Sequence, residues 1–501
     1  MIIFLRAYSL LKSFYSLLKS FFRRVFRGKM DRHRKRMQER PITQKTALIF
    51  GGGKEAPLGF EKNIYEYALS QMGRTVQNDT IPDELFQEFA VNRGLRDING
   101  KGVLTGLTNI SEINSFKEVD GKRVPIEGQL WYRGYSVESL VRMFGDDRFG
   151  YEALTYLLLF GELPDQEQRD NFLQILAEAR DLPTNFVRDV IMKAPTRDIM
   201  NSMTRSILTL ASYDPYAQRT DLGNVIRQCI QLIAAFPMLA IYGYHAYNHF
   251  ENMESMYIHR PDPEMSTAEN ILMMLRPDRN FTTTEVRVLQ AALMLHMEHG
   301  GGNNSTFTTR VVTSSGSDTY ATIAAAMSSL KGPRHGGANI KVMEMMENIR
   351  TNVHDWNDDE EIEDYLTRMI KGSVFDHKGL IYGMGHAVYS LSDPRERVFR
   401  KFVARLCVEK GREVDMMLYK KIEEIAPRVI ARERRIYKGV SPNVDFYSGF
   451  VYDMLGIPVE LYTPFFALAR ITGWSAHRLE EIVGMGKILR PAYMSVMKRM
   501  E

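Results

Sequence analysis

Gly332-Pro333-Arg334-His335-Gly336-Gly337-Ala338-Asn339 separates two segments, 319–330 and 338–349, whose apolar residues recur at helical spacing. The Gly-Pro step stops one helix and the Gly-Gly pair lets the next begin. An ionisable ring is thus presented from a tight turn between two helices. The same alternation of helical pattern and glycine-rich turn repeats along the chain and decides the fold as mainly α. Apolar spacing predicts helices over 60–72, 151–160, 166–180, 222–247, 268–275 and 284–299. It resumes over 319–330, 338–349, 396–409, 416–425, 445–455 and 461–477. Only residues 122–135, with Val, Ile, Trp and Tyr around Glu127-Gly128, read as strand, a minor β-hairpin turning at that Glu-Gly step.

Composition narrows the function. The 501 residues are 44% apolar and 25% charged, an ordinary globular mixture large enough for two or three domains. The net charge of +4 is unevenly placed. Residues 1–30 carry seven Lys or Arg and no acid, which leaves the remainder slightly acidic. That balance argues against nucleic acid as a partner of the folded body. Two cysteines, Cys229 and Cys407, exclude a disulfide framework and fit a reducing, cytoplasmic compartment. The 29 methionines fall mostly at apolar helical positions, where they read as core filling.

The N-terminal segment differs from the rest. Leu10, Leu11, Phe14, Leu17, Leu18, Phe21, Phe22, Val25 and Phe26 form one helical face, and Lys12, Lys19, Arg23 and Arg27 the other. The charges interrupt every transmembrane-length run. Three readings stand: a leader upstream of a true start at Met30 or Met37, a mitochondrial transit peptide, or an anchor to a membrane surface through residues 1–29. Leu48-Ile49-Phe50 then precedes Gly51-Gly52-Gly53-Lys54, but Glu55 stands where a phosphate-binding loop needs Ser or Thr. The stretch up to residue 60 therefore reads as extension and linker.

Three glycine-flanked turns carry the chemistry: the one around His335, Gly383-Met384-Gly385-His386, and Pro442-Asn443-Val444-Asp445-Phe446-Tyr447-Ser448-Gly449. Two histidines and a carboxylate, each where backbone can approach a ligand closely, point to acid–base work on a carbonyl compound. His296-Met297-Glu298-His299-Gly300-Gly301-Gly302-Asn303-Asn304 adds two histidines at i and i+3, on one helix face by that spacing. HExxH is absent and no third ligand stands near, so a metal is not expected. The acids from Asp355 to Asp364 lack calcium-loop spacing and read as a solvated lead into a helix. Arg470 lies inside the apolar run Phe465-Phe466-Ala467-Leu468-Ala469-Arg470-Ile471, with no acid between Leu461 and Arg478. A buried guanidinium needs an anion, supplied by a substrate carboxylate or by an acid from elsewhere in the fold.

In that order, the blocks 332–339, 383–388 and 442–449 resemble the signature segments of the citrate synthase family, and 296–304 with Tyr132-Arg133-Gly134-Tyr135 add to the match. The resemblance spans roughly residues 85–495. It implies a nearly all-helical fold with a large domain, 61–335 and 440–501, and a small domain, 336–439, that closes over the site. It implies no metal and no permanently bound cofactor, acetyl-CoA serving as cosubstrate with oxaloacetate. By the same resemblance Asp445 is the base that deprotonates acetyl-CoA and His335 donates to its enol(ate) oxygen. His386 polarises the oxaloacetate ketone, His299 binds that substrate, and Arg395 and Arg470 hold its carboxylates. Arg490 is implied to come from the neighbouring subunit of a homodimer or larger homo-oligomer. Gly383, Gly385 and Lys438 are implied CoA contacts, although Ser390 stands where many members carry Arg or Lys. Three readings of the function follow: citrate synthase, 2-methylcitrate synthase acting on propionyl-CoA, and an inactive scaffold of the same fold.

Overall fold

The computed structural model describes residues 62–96, 102–120, 122–385, 388–389, 391–435, 439–484 and 486–497. The amphipathic segment, the Gly51–Gly53 linker, His386, Ser390 and Lys438 lie outside the described residues. The chain divides into two compact units, Met1–Thr105 and Gly106–Glu501. In the first, α1 (Lys62–Asp79) and α2 (Asp83–Glu88) are the described helices, and α2 opens on Asp83 and Glu84, where acids meet free N–H groups.

The second unit begins with three strands: β1 (Ser111–Val119), β2 (Lys122–Tyr132) and β3 (Tyr135–Ser136), antiparallel in that order. Here the expected hairpin is corrected. Glu127-Gly128 is not a turn but a register shift within β2, opposite the irregularity between Asn114 and Phe116. The reason is tertiary. The segment before the helix at Pro394 lies against Gly128, where a Cβ would stand 2.2 Å from the Ser392 carbonyl oxygen. The two-residue turn is Arg133-Gly134, both at positive φ (49° and 87°), as the twist of a tight hairpin requires. Strand β1 escaped the pattern because its apolar residues, Ile113, Phe116 and Val119, are spaced by three.

Fifteen further helices follow among the described residues. They are α3 (Val137–Phe144), α4 (Gly150–Phe160), α5 (Gln166–Glu178), α6 (Ile199–Leu210), α7 (Leu222–Asn252), α8 (Thr267–Leu275), α9 (Thr283–His296) and α10 (Asn304–Ser314). Beyond them lie α11 (Thr319–Lys331), α12 (Ala338–Asn352), α13 (Asp359–Ile370), α14 (Pro394–Lys410), α15 (Glu413–Arg434), α16 (Asp445–Met454) and α17 (Tyr462–Val483). Side-chain caps open many of them, for example the capping boxes of Ser266 with Glu269 and Thr282 with Glu285. The acidic run does lead into a helix: Asp358 caps α13 through the N–H groups of Glu360 and Glu361.

Helix α7 is the spine. Among the described residues it is the one helix long and apolar enough to cross a membrane, but 78% of its most apolar stretch is buried inside the protein. It packs against α6 and α17, and α17 in turn packs against α4, α9, α10 and α11. Leu239, Ile241 and Phe236 of α7 are fully buried with Ile471 and Trp474 of α17, each such side chain contributing roughly 1.5–3 kcal/mol. Met238, Met273, Met294, Met327, Met345 and Met346 are buried too, as core filling requires. Helix α17 thus runs through the packed interior, and the loops between α9 and α10, α11 and α12, α13 and α14, and α15 and α16 supply the site.

Candidate active site

Helix α9 ends at His296, two residues before Glu298 and three before His299. His296 and His299 therefore do not share a helix face, which corrects the spacing argument. The His296 Nδ1 lies 2.6 Å from the Ala292 carbonyl, and burial pushes this ring down to about 3, so it is a neutral core histidine. His299, past the helix end, is buried with its ring edge-on to Tyr389 at 5.6 Å. Among the described residues no group of three or more His, Cys, Asp or Glu is arranged to hold a metal ion.

His335 is half-buried in the turn between α11 and α12. Its Nε2 faces the first turn of α10, accepting from the Ser305 backbone N–H at 3.3 Å and lying 3.0 Å from the Ser305 hydroxyl. A backbone amide can only donate, so Nε2 carries no proton and the neutral ring holds its hydrogen on Nδ1. Burial, with Arg470 nearby, pushes His335 down to about 4, and the positive end of α10 also disfavours imidazolium. His335 is thus a neutral ring offering an Nδ1–H donor. Ser305 is itself fixed: the Trp474 indole donates to its hydroxyl at 3.1 Å, and Asn303 Oδ1 stands 3.1 Å from that hydroxyl.

Asp445 opens α16 and is half-buried. The Asn443 side-chain oxygen accepts its backbone N–H at 3.0 Å. The stretch before it is tied to the glycine loop: Asn443 N–H donates to the Gly383 carbonyl (2.9 Å), its carboxamide to the Gly385 carbonyl (2.9 Å), and Gly385 N–H to the Ser441 carbonyl (2.8 Å). Two separate glycine turns therefore meet as one backbone-bonded unit, with Gly383 and Gly385 at positive φ (76° and 83°). Burial raises the Asp445 carboxyl, Asp393 adds to this, and Arg395 and Arg470 oppose; the outcome is about 6.

The two internal arginines are held differently. Arg395, the second residue of α14, is buried and pairs with the Asp393 carboxylate, through Nε at 3.0 Å and Nη2 at 2.7 Å. Asp393 also caps the helix by accepting the Arg395 N–H at 2.9 Å. Arg470, in mid-α17, is 1% exposed; its Nε–H donates to the His296 carbonyl at 2.7 Å and its guanidinium lies 4.6 Å from the Phe466 ring centre. No carboxylate among the described residues lies within ion-pair distance of Arg470. Burial pushes it down to about 10, a cost that Glu298 partly offsets from farther away. Arg490 is exposed on the segment after α17.

Arg470 is the common neighbour: its charge acts on His335, on Asp445 and on Arg395, and Arg395 also acts on Asp445. Tyr132 belongs here as well: fully buried, it donates to the Glu298 carbonyl at 3.0 Å and lies near both arginines. Ser305 and Trp474 were not singled out in the sequence, and Asn443 and Glu298, though inside the quoted motifs, gave no sign of their contacts, because these partners lie 30 to 179 residues away. A carboxyl group near neutrality, a neutral imidazole donor and a buried guanidinium without a close carboxylate, carried on a helical scaffold, are the groups that acid–base chemistry on a carboxylate-bearing carbonyl substrate calls for.

Comparison with known proteins narrows that class. The family model described as "Citrate synthase, C-terminal domain" matches residues 97–492. The chain is 31% identical over 406 residues to 2-methylcitrate synthase 1 of Corynebacterium glutamicum, covering 79% of this chain and 95% of that one. It is 34% identical over 370 residues to citrate synthase of Haloferax volcanii, covering 73% and 88%. Among solved structures, citrate synthase of the thermophilic archaeon Thermoplasma acidophilum, in ternary complex with carboxymethyl coenzyme A and oxaloacetate, superposes with a TM-score of 0.66 at 25% identity, covering 81% and 97%. The chain belongs to the citrate synthase family.

Proposed function

We propose that the protein condenses acetyl-CoA with oxaloacetate and hydrolyses the resulting citryl thioester to citrate and CoA. It would thereby act as an acyltransferase that converts acyl to alkyl on transfer. The observation that carries this reading is Arg470, buried beside Arg395 and Asp445 with no carboxylate among the described residues in ion-pair reach. A dicarboxylate substrate supplies that partner.

The steps follow from the groups. A thioester methyl is a very weak carbon acid. Asp445, poised near 6, takes its proton while His335 Nδ1–H meets the charge growing on the thioester oxygen. Because His335 is neutral at physiological pH, it stabilises the enolate without leaving an imidazolium counter-charge to trap it. The carbanion-like carbon attacks the ketone carbon of oxaloacetate, and His386 is assigned the hydrogen bond that polarises that ketone. Water then cleaves the C–S bond of the citryl thioester and the CoA thiol leaves. His299, Arg395 and Arg470 are assigned to the oxaloacetate, and Gly383, Gly385 and Lys438 to CoA. Division into a large domain (61–335, 440–501) and a small one (336–439) would let closure exclude water. We further propose a homodimer or larger homo-oligomer in which Arg490 reaches the neighbour's site, a cytoplasmic or, if residues 1–29 are a transit peptide, mitochondrial location, and no resident cofactor.

Relatives at similar identity bear both names, citrate synthase and 2-methylcitrate synthase, so propionyl-CoA is the second reading. Thiol release from the full chain, with oxaloacetate and either acetyl-CoA or propionyl-CoA, decides between them. Faster release with acetyl-CoA is expected; faster release with propionyl-CoA moves the assignment, and none with either returns the scaffold reading.

A further inference from the structure

Behind His299 lies a set of buried groups that the condensation steps leave without a task. Glu298 is fully buried, and its Oε1 accepts from the Ser111 hydroxyl of β1 at 2.9 Å and faces His477 Nε2 of α17 at 3.0 Å. The other nitrogen of His477, Nδ1, lies 2.7 Å from Arg310 Nη2 of α10. A guanidinium has no acceptor. His477 Nδ1 must therefore accept, its single ring hydrogen sits on Nε2, and that hydrogen points at Glu298. Arg310 is held in place by Glu480 and, at 3.0 Å, by Glu481.

The opposite face of Glu298 is equally constrained. Its Oε2 is buried with no hydrogen-bond partner among the described residues, and it lies against Gly473 of α17, where a Cβ would stand 2.4 Å away. A glycine inside a helix costs about 1 kcal/mol relative to alanine, so its place here calls for such a neighbour. The Glu298 carbonyl is held by Tyr132. Backbone and side chain of one residue are thus clamped where the chain leaves α9 and enters Gly300-Gly301-Gly302. The segment clamped in this way carries His299 on one side and leads to Ser305, the partner of His335, on the other.

We infer that Arg310, His477 and Glu298 form a hydrogen-bonded relay that positions His299 and sets a compensating carboxylate behind the Arg470 guanidinium. It tunes the site for the oxaloacetate half of the reaction. The three are positioning residues, and the inference rests on the proposed oxaloacetate reading of the site.

The test compares His477→Gln, whose carboxamide N–H still donates toward Glu298, with His477→Met, which keeps the bulk and loses the donor. Both are assayed beside wild type for KM of oxaloacetate and of the preferred acyl-CoA. His477→Met is expected to raise the oxaloacetate KM roughly ten- to hundredfold, the loss that follows removal of a hydrogen bond to a buried charge. The acyl-CoA KM is expected to stay within about threefold, and His477→Gln to recover most of the oxaloacetate effect. Equal behaviour of the two variants, or a change confined to the acyl-CoA KM, overturns the relay. If His477→Met does not fold, Ser111→Ala removes the other donor to Oε1: a selective rise in oxaloacetate KM supports the relay and an unchanged KM overturns it. A wild-type protein inactive on oxaloacetate with either acyl-CoA would instead remove the underlying reading of the site.

Discussion

Replacing Asp445 with Asn should make the protein more stable and inactive at once. Burial lifts the Asp445 carboxyl from 3.8 to about 6, and each pH unit of such a shift is worth about 1.4 kcal/mol. Ionising this side chain in the folded protein therefore costs about 3 kcal/mol more than in the unfolded chain. The sign follows from the proton count: between pH 3.8 and about 6 the folded state holds the proton that the unfolded state has lost, so stability falls as pH rises through that window. The carboxamide introduced by Asp445→Asn cannot ionise and is spared the penalty. Denaturant unfolding of wild type and Asp445→Asn at pH 7.5 should show the variant more stable by up to about 3 kcal/mol, with the gap closing toward pH 4. Wild-type turnover should fall below pH 6 as the base is protonated. A gap of the same size at both pH values, or no gap at pH 7.5, refutes the claim that burial tunes this carboxylate. Measurable turnover by Asp445→Asn refutes its assignment as the base.

Arg470→Met should raise the oxaloacetate KM by about a hundredfold or more while leaving thermal stability unchanged or higher, because a buried cation without a close carboxylate is removed; a large loss of stability would show that Arg470 is a structural ion instead. Gly128→Ala places a Cβ against the Ser392 carbonyl and so should displace the segment leading to Asp393 and Arg395; the expected result is a raised oxaloacetate KM in a folded protein, checked by kinetics and circular dichroism. Glu285, buried against Arg276 (2.7 Å) and Lys410 (2.6 Å), serves as the contrast: Glu285→Ala should destabilise by about 3 kcal/mol in urea unfolding and leave both KM values alone. Burial raises the Glu285 carboxyl, but Arg276 and Lys410 outweigh it and hold it near 2. The stability this pair contributes is therefore present above pH 4.5 and lost as pH falls toward 2.

Much of the scaffold was legible in the chain itself. Helical periodicity is local, set by residues three and four apart, so α1, α4, α5, α7, α8, α9, α11, α12, α14, α15, α16 and α17 could be read from spacing, and Gly-Pro and Gly-Gly steps marked several of their ends. The helices α3, α6 and α10 were missed, as was β1, whose apolar residues mimic a helix. Asp445, His335 and Arg470 stood out because an ionisable group in a glycine-flanked turn, or inside an apolar run, is unusual within a few residues, whereas Arg395, in Asp393-Pro394-Arg395, was picked out only through the family resemblance. The order of the signature blocks then identified the family, and with it the direction of the chemistry.

What the tertiary structure decided is the state of those groups. That His335 is neutral with its hydrogen on Nδ1 follows from the Ser305 amide 30 residues away, that Asp445 titrates near 6 follows from burial among charges on other elements, and that Arg395 holds a carboxylate while Arg470 has none in ion-pair reach among the described residues follows from which helices bring acids near. Glu127-Gly128 became a bulge, not a turn, because a distant loop leans on it. Residue type and spacing specify which side chains can do acid–base work. Protonation, tautomer and charge balance depend on dielectric and on donors brought together by folding, and no local pattern encodes those.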